Sequence, residues 1–244
     1  TKWFNPLKEE VSVIQNQGFP EEIGKSFVRL PDRAKEKVRP EVWNLSRNSS
    51  GLSIHFYSNA PQITVRYGVT SRFAMNHMPA TGVSGVDLYA INSEGEWLNL
   101  TGEYRFGDTI TYKYDYIDKD AYHQAGYEYR LYLPLYNTVK WLEIGVPEEA
   151  SFEFIPRRQE APVVVYGTSI AQGGCASRPA MVWTNILERR LDRPVINLGF
   201  SGNGRLEKSV LDFIGEIDAC LYVLDCYPNL IYTDKEEVFR LTVD

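Results

Sequence analysis

The hydrophobic period of this chain changes once, just after Pro162, and that change limits the fold more than any other feature. Before it, β-branched and aromatic segments stand at residues 52–58, 62–69, 110–115, 127–133 and 139–145. Several alternate apolar and polar side chains, the period of a half-buried strand. Turn-forming clusters such as Ser58-Asn59-Ala60-Pro61 and Asn92-Ser93-Glu94-Gly95 separate them. Many short strands with such turns predict an all-β, jelly-roll-like sandwich. After Pro162 a short apolar run at 163–166 is followed by apolar residues at helical spacing over 180–191. A second run at 194–198, a glycine-rich loop, a helical stretch over 206–217 and a third run at 219–224 follow. Strand, loop and helix in alternation predict a parallel sheet with right-handed crossovers. The polar stretch Arg157-Arg158-Gln159-Glu160 reads as the boundary. The expectation is therefore two domains, a β-sandwich over 1–158 and an α/β unit over 159–244.

Ligands of open parallel sheets gather at the carboxyl ends of the strands. Three consecutive runs here end in distinctive loops: Gly167-Thr168-Ser169, then Gly199-Phe200-Ser201-Gly202-Asn203-Gly204, then Asp225-Cys226-Tyr227-Pro228-Asn229. A serine that leaves a strand and opens a helix has an accessible hydroxyl, and its N–H can point at an oxyanion. Gly202 permits close backbone approach and offers a second N–H, and Asn229 offers a side-chain amide. Taken singly, each piece has a plainer reading. A Gly-x-Ser after a strand is more often a helix N-cap, the glycine loop a tight turn, and an asparagine after proline a turn residue. Their joint occurrence, in order on successive strands, favours an oxyanion hole around a nucleophile.

The segments VVVYGTSI, VINLGFSGNGRL and LYVLDCYPNL resemble the first three blocks of the SGNH (GDSL-like) hydrolases. The resemblance extends to a two-domain bacterial branch whose first domain carries a G-x-D-L-Y motif, present here as Gly85-Val86-Asp87-Leu88-Tyr89. It thus spans essentially the whole chain, and it implies a flavodoxin-like α/β fold and a serine esterase without metal or other cofactor. The residues it implies are Ser169 as nucleophile with Gly202 and Asn229 as oxyanion donors. Thr168 stands where the family usually has Asp, and Asp225-Cys226-Tyr227-Pro228-Asn229 stands for G-x-N-D. The implied reaction is hydrolysis of a small acyl ester, acetyl foremost, on a small molecule or carbohydrate. The rival is a non-catalytic carbohydrate-binding or interaction protein on the same scaffold.

The family places its general base in a late Asp-x-x-His, but no histidine follows Ser169 before Asp244. The expectation is a hydrolase domain truncated after its third strand, nearly inactive as it stands, in a natural protein that continues past Asp244. The stretch 234–241 reads as the start of a further helix. Of the histidines, His55 falls on an alternating strand and His77 on a loop. His123 has the literal Asp-x-x-His spacing from Asp120 and reads as a surface-loop residue.

A formal net charge of -6 argues against nucleic acid or an anionic membrane as partner, and no apolar run approaches the roughly 20 residues of a spanning helix. The start, Thr-Lys-Trp-Phe-Asn-Pro, is not a signal peptide; a periplasmic or secreted protein with its leader removed is the expectation. Cys175, Cys220 and Cys226 match no zinc spacing and read as packing residues, with Cys220 and Cys226 on one side of one strand. Trp3, Trp43, Trp97 and Trp141 read as core or as a sugar platform, with core favoured. Asp87 points away from Val86 and Leu88, either to a solvated sheet face or, with Tyr89, to the hydrolase crevice or linker.

Overall fold

The computed structural model describes residues 1–117 and 128–231, with 234, 236, 237 and 240. Two antiparallel sheets make up most of the first half. One runs in the order β1 (Lys2–Phe4), β10 (Val139–Val146), β4 (Ile63–Val69), β8 (Ile110–Tyr114), β7 (Glu103–Arg105). The other runs β11 (Phe152–Phe154), β3 (Ser53–Ser58), β9 (Glu128–Tyr132), β5 (Asp87–Ile91), β6 (Trp97–Leu100), with β2 (Ile14–Gln15) paired to β3. Alternate residues of each sheet share one core. Ile54, Phe56, Leu88, Ala90, Tyr129 and Leu131 of the second sheet meet Ile63, Val65, Tyr67, Ile110, Leu142 and Ile144 of the first. Register follows this pattern: Leu131 lies opposite both Ile54 and Leu88, and a slip by one residue would turn every such side chain outward.

The second half is a parallel sheet in the order β13 (Val195–Gly199), β12 (Val163–Gly167), β14 (Leu221–Asp225). β12 and β13 are buried throughout, which is why Val-Val-Val-Tyr-Gly reads as a continuous apolar run rather than an alternation. β14 lies at the edge, with Leu221, Tyr222 and Leu224 53%, 44% and 48% exposed. One face of the sheet packs Val163, Val165 and Val195 against Trp183 and Leu187 of helix Trp183–Leu191.

The other face departs from the expected all-β unit over 1–158. Short helices α1 (Pro20–Ile23) and α2 (Pro40–Ser46) each open on a proline, a residue suited to the first helical position. Phe19, Leu30, Ala34, Val38 and Val42 from this stretch join Val164, Tyr166, Ile196 and Leu198 of the parallel sheet. Val210, Phe213 and Ile214 of helix Lys208–Ile214 complete that core. An early helical segment therefore packs with the late half of the chain. Helices this short give too narrow a window for a 3.6-residue period to stand out.

The outer face of the second sandwich sheet carries Ser53, His55, Asp87, Tyr89, Arg130 and Tyr132, all buried. Asp87 does point away from its apolar neighbours, but its face is not solvated, which corrects one of the two readings. It accepts from Asn99 Nδ2 at 2.6 Å, Arg178 Nε at 3.0 Å and the Ala180 N–H at 3.2 Å. The same Arg178 donates to the Tyr89 hydroxyl at 3.2 Å. Burial is the main influence on the Asp87 carboxyl and raises its pKa, against the opposing pull of Arg178. Asp87 and Tyr89 thus hold the segment that leads into helix Trp183–Leu191. Gly85 is glycine because a Cβ there would lie 2.3 Å from the Thr81 carbonyl oxygen and 2.5 Å from the Tyr112 hydroxyl.

Candidate active site

Gly167 pairs across to Gly199 on one side and Asp225 on the other, so all three strands end at one level. The loops that follow touch. The Phe200 N–H donates to the Gly167 carbonyl at 2.9 Å, and the Gly204 N–H donates to Asn229 Oδ1 at 3.1 Å. A Cβ on Gly204 would lie 2.5 Å from the Gly167 carbonyl carbon and 2.9 Å from the Thr168 nitrogen. Only glycine lets the second loop lie this closely on the first.

Ser169 opens the one-turn helix α3 (Ser169–Gln172), whose N-cap Thr168 accepts the Ile170 N–H through its side chain at 3.3 Å. The Ser169 side chain is half-buried. Among the described residues, neither its hydroxyl nor its N–H has a hydrogen-bond partner. The same is true of the Gly202 N–H, on an exposed residue with φ +70°. Asn229 ends the 3-10 turn Tyr227–Asn229. Its carbonyl end is taken by Gly204, which assigns the amide orientation and leaves its Nδ2 as a donor with no partner among the described residues. The structure thus brings the loops of Ser169, Gly202 and Asn229 together, each with an unspent donor.

Sequence reasoning missed the residues that hold these loops. Tyr136, from the sandwich half, donates to the Ser169 carbonyl at 3.4 Å. Gln172 accepts the Ser201 N–H at 2.9 Å and donates to the Leu135 carbonyl at 3.3 Å. Arg29 is fully buried and donates to four carbonyls, those of Asn48, Leu45, Asn197 and Gly199, at 2.7–3.2 Å. Its guanidinium also lies over the Phe200 ring, 5.0 Å from the centroid. The charged, proline-rich stretch around 29–40 carries no local signal for this; the partners of Arg29 and Tyr136 lie far along the chain.

His55 faces the interface between the halves, with Nε2 3.1 Å from Ser53 Oγ and 3.9 Å from Glu188 Oε1. Burial above all, with Arg130 and Arg158 nearby, holds its pKa well below the ordinary value, so it is neutral. His77 is exposed in the turn closed by Met75 and Met78. Asp120 and His123 lie outside the described residues, as does half of the helix read over 234–241. The cysteines separate: Cys226 is buried, whereas Cys175 and Cys220 are exposed, so a packing role holds for Cys226 alone. Cys220 precedes β14 and Cys226 follows it. Three tryptophans carry a guanidinium over the ring, Arg66 on Trp3, Arg47 on Trp43 and Arg130 on Trp97 at 3.6–4.0 Å. Each loses one face as a sugar platform. Among the described residues no group of His, Cys, Asp and Glu could hold a metal ion, and no helix is long and apolar enough to cross a membrane.

The GxDLY family model, described as "N-terminus of Esterase_SGNH_hydro-type", matches residues 1–152, and that of the GDSL-like Lipase/Acylhydrolase family matches residues 160–243. The chain belongs to the GDSL-like hydrolases with an N-terminal GxDLY domain. A crystal structure from Bacteroides ovatus ATCC 8483, described as a GDSL-like lipase, is 32% identical with a TM-score of 0.82. The match covers 93% of this chain and 65% of that one. The salicylyl-acyltransferase SsfX3 from a tetracycline biosynthetic pathway shares the fold at 16% identity and a TM-score of 0.64, over 95% of this chain and 65% of that one. This GDSL-like chain therefore spans about two thirds of the length of either structure. No curated protein matches it.

Proposed function

We propose that this protein is a serine esterase in which Ser169 attacks a small acyl ester, acetyl foremost, to form an acyl-enzyme. The Ser169 and Gly202 N–H groups and the Asn229 amide stabilise the oxyanion. The observation that carries this reading is the set of unspent donors on three touching loops, in a chain where neighbouring polar groups of the same loops are satisfied. Donors held before the reaction stabilise charge without having to reorganise during it. The strand order β13-β12-β14 corresponds to the start of the flavodoxin-like order 2-1-3-4-5, and the sandwich is taken as jelly-roll-like, with the unit boundary near residue 158. No cofactor enters the reaction.

The serine requires a base. His55 is committed to the interface, so these 244 residues alone are expected to turn over slowly; loss of a triad histidine costs roughly 10⁶ in a serine protease. A carbohydrate as the alcohol is the family-based part of the proposal, tested by comparing acetylated xylan with p-nitrophenyl acetate.

In the full-length protein, Ser169→Ala is expected to abolish p-nitrophenyl acetate hydrolysis, and Asn229→Ala to lower kcat by about 10²–10³. Equal turnover by wild type and Ser169→Ala would remove the esterase assignment. The second reading, a carbohydrate-binding or interaction protein on this scaffold, would then stand; the burial of His55 away from the loops is what favours it.

A further inference from the structure

The glycine-rich loop after β13 is gripped at both ends by arginines from one early segment. Arg29 takes its start through the Asn197 and Gly199 carbonyls. Arg39, at the N-cap of α2, takes its end: Nη2 donates to Asn203 Oδ1 at 2.8 Å, and the guanidinium pairs with Glu207 through Nε and Nη2. Asn203 closes the turn around Gly202, since its N–H donates to the Phe200 carbonyl at 2.7 Å and its Nδ2 to the Ser201 carbonyl at 2.8 Å. A Cβ at Gly202 would meet no atom within 4 Å, and the Gly202 carbonyl accepts from Arg205 Nε at 3.2 Å. The peptide that carries the Gly202 N–H is therefore aimed by polar tethers rather than by packing, and the one on its own carbonyl, that of Ser201, comes from Asn203.

We propose that Arg39 is a positioning residue, which fixes the direction of the Gly202 N–H by anchoring Asn203. This inference rests on the reading of Gly202 as an oxyanion donor. Arginine suits the task because its planar fork can hold an amide oxygen and a carboxylate together, whereas a lysine ammonium is a single point of charge. A donor that drifts by a fraction of an ångström loses much of its effect on the transition state. The effect is expected on kcat rather than on KM, because the oxyanion develops in the transition state.

The test is steady-state hydrolysis of p-nitrophenyl acetate by the full-length protein and its variants. Arg39→Ala is expected to lower kcat about ten- to a hundredfold with KM within about twofold. Arg39→Lys is expected to recover part of the loss. Asn203→Ala should reproduce the loss, and the double variant should be no worse than either single one, as for two members of a single tether. Melting followed by circular dichroism establishes that Arg39→Ala is folded; should it not be, Asn203→Ala breaks the same link from the loop side. Wild-type kcat in both single variants, or additive losses in the double, overturns the positioning role while Ser169→Ala remains inactive. Activity retained in Ser169→Ala instead overturns the esterase reading beneath it.

Discussion

Cys226 follows β14 with its Sγ 3.7 Å from the Tyr166 carbonyl oxygen, and burial pushes its thiol up to about 12. A thiol reacts as its thiolate, so at pH 8 a raised pKa and a closed environment both protect Cys226. Titration of the native chain with a disulfide reagent such as DTNB is expected to count two thiols, those of the exposed Cys175 and Cys220, and a third only in denaturant. Three fast thiols would contradict the packing around Cys226. At this scale the sequence marks candidates where a loop directly follows a strand. Ser169, Gly202 and Asn229 stand out because each lies in a loop directly after an apolar run. Tyr136, Arg29 and Arg39 do not, because nothing beside them in sequence marks what they touch.

Between the halves, strands β5 and β9 present a polar face to the helix Trp183–Leu191, which we term α4. Arg130 Nη1 donates to Glu188 Oε1 at 2.8 Å, and the Tyr132 hydroxyl to Oε2 at 2.6 Å. Arg130 also pairs with Asp192 at 2.6 Å and lies over Trp97. The carboxylate and guanidinium of Glu188 and Arg130 are nearly closed to solvent. Such a pair adds little net stability over an apolar one, but breaking it strands a buried charge. Glu188→Ala is expected to destabilise the protein by about 3 kcal/mol, measured as a lower urea midpoint. An unchanged midpoint would mean that Arg130 is satisfied by Asp192 alone. Alternation was enough to put Asp87 on the face away from Val86 and Leu88. It carried no information about the helix that covers it.

For the molecule as a whole, the two halves are interlocked. Phe19, Leu30, Val38 and Val42 cover Val164, Tyr166, Ile196 and Leu198, and each fully buried apolar side chain of this kind contributes roughly 1.5–3 kcal/mol. Residues 159–244 expressed alone lose that cover and the sandwich face against α4. They are expected to lack a cooperative unfolding transition, whereas residues 1–244 should melt in one step by circular dichroism. A fragment 159–244 that folds and melts cooperatively would show that the early segment is dispensable.

The sequence by itself determined sandwich strands β3, β4, β8, β9 and β10, the parallel strands and the loops that follow them. These depend on the backbone period, two residues in a strand and 3.6 in a helix, and a period is a local property. Only the tertiary structure decided what medium each face meets. The same alternation that turns Asp87 and Arg130 away from the core would serve equally on a wet surface. They are buried because a segment from the other half lies over them, Arg178 and Ala180 on Asp87 and the helix residue Glu188 on Arg130. It also decided that a segment from the β-rich half completes the α/β core and grips the glycine loop. Arg29 reaches the Gly199 carbonyl across 170 positions of sequence, and contacts of that separation exist only once both halves have folded against each other.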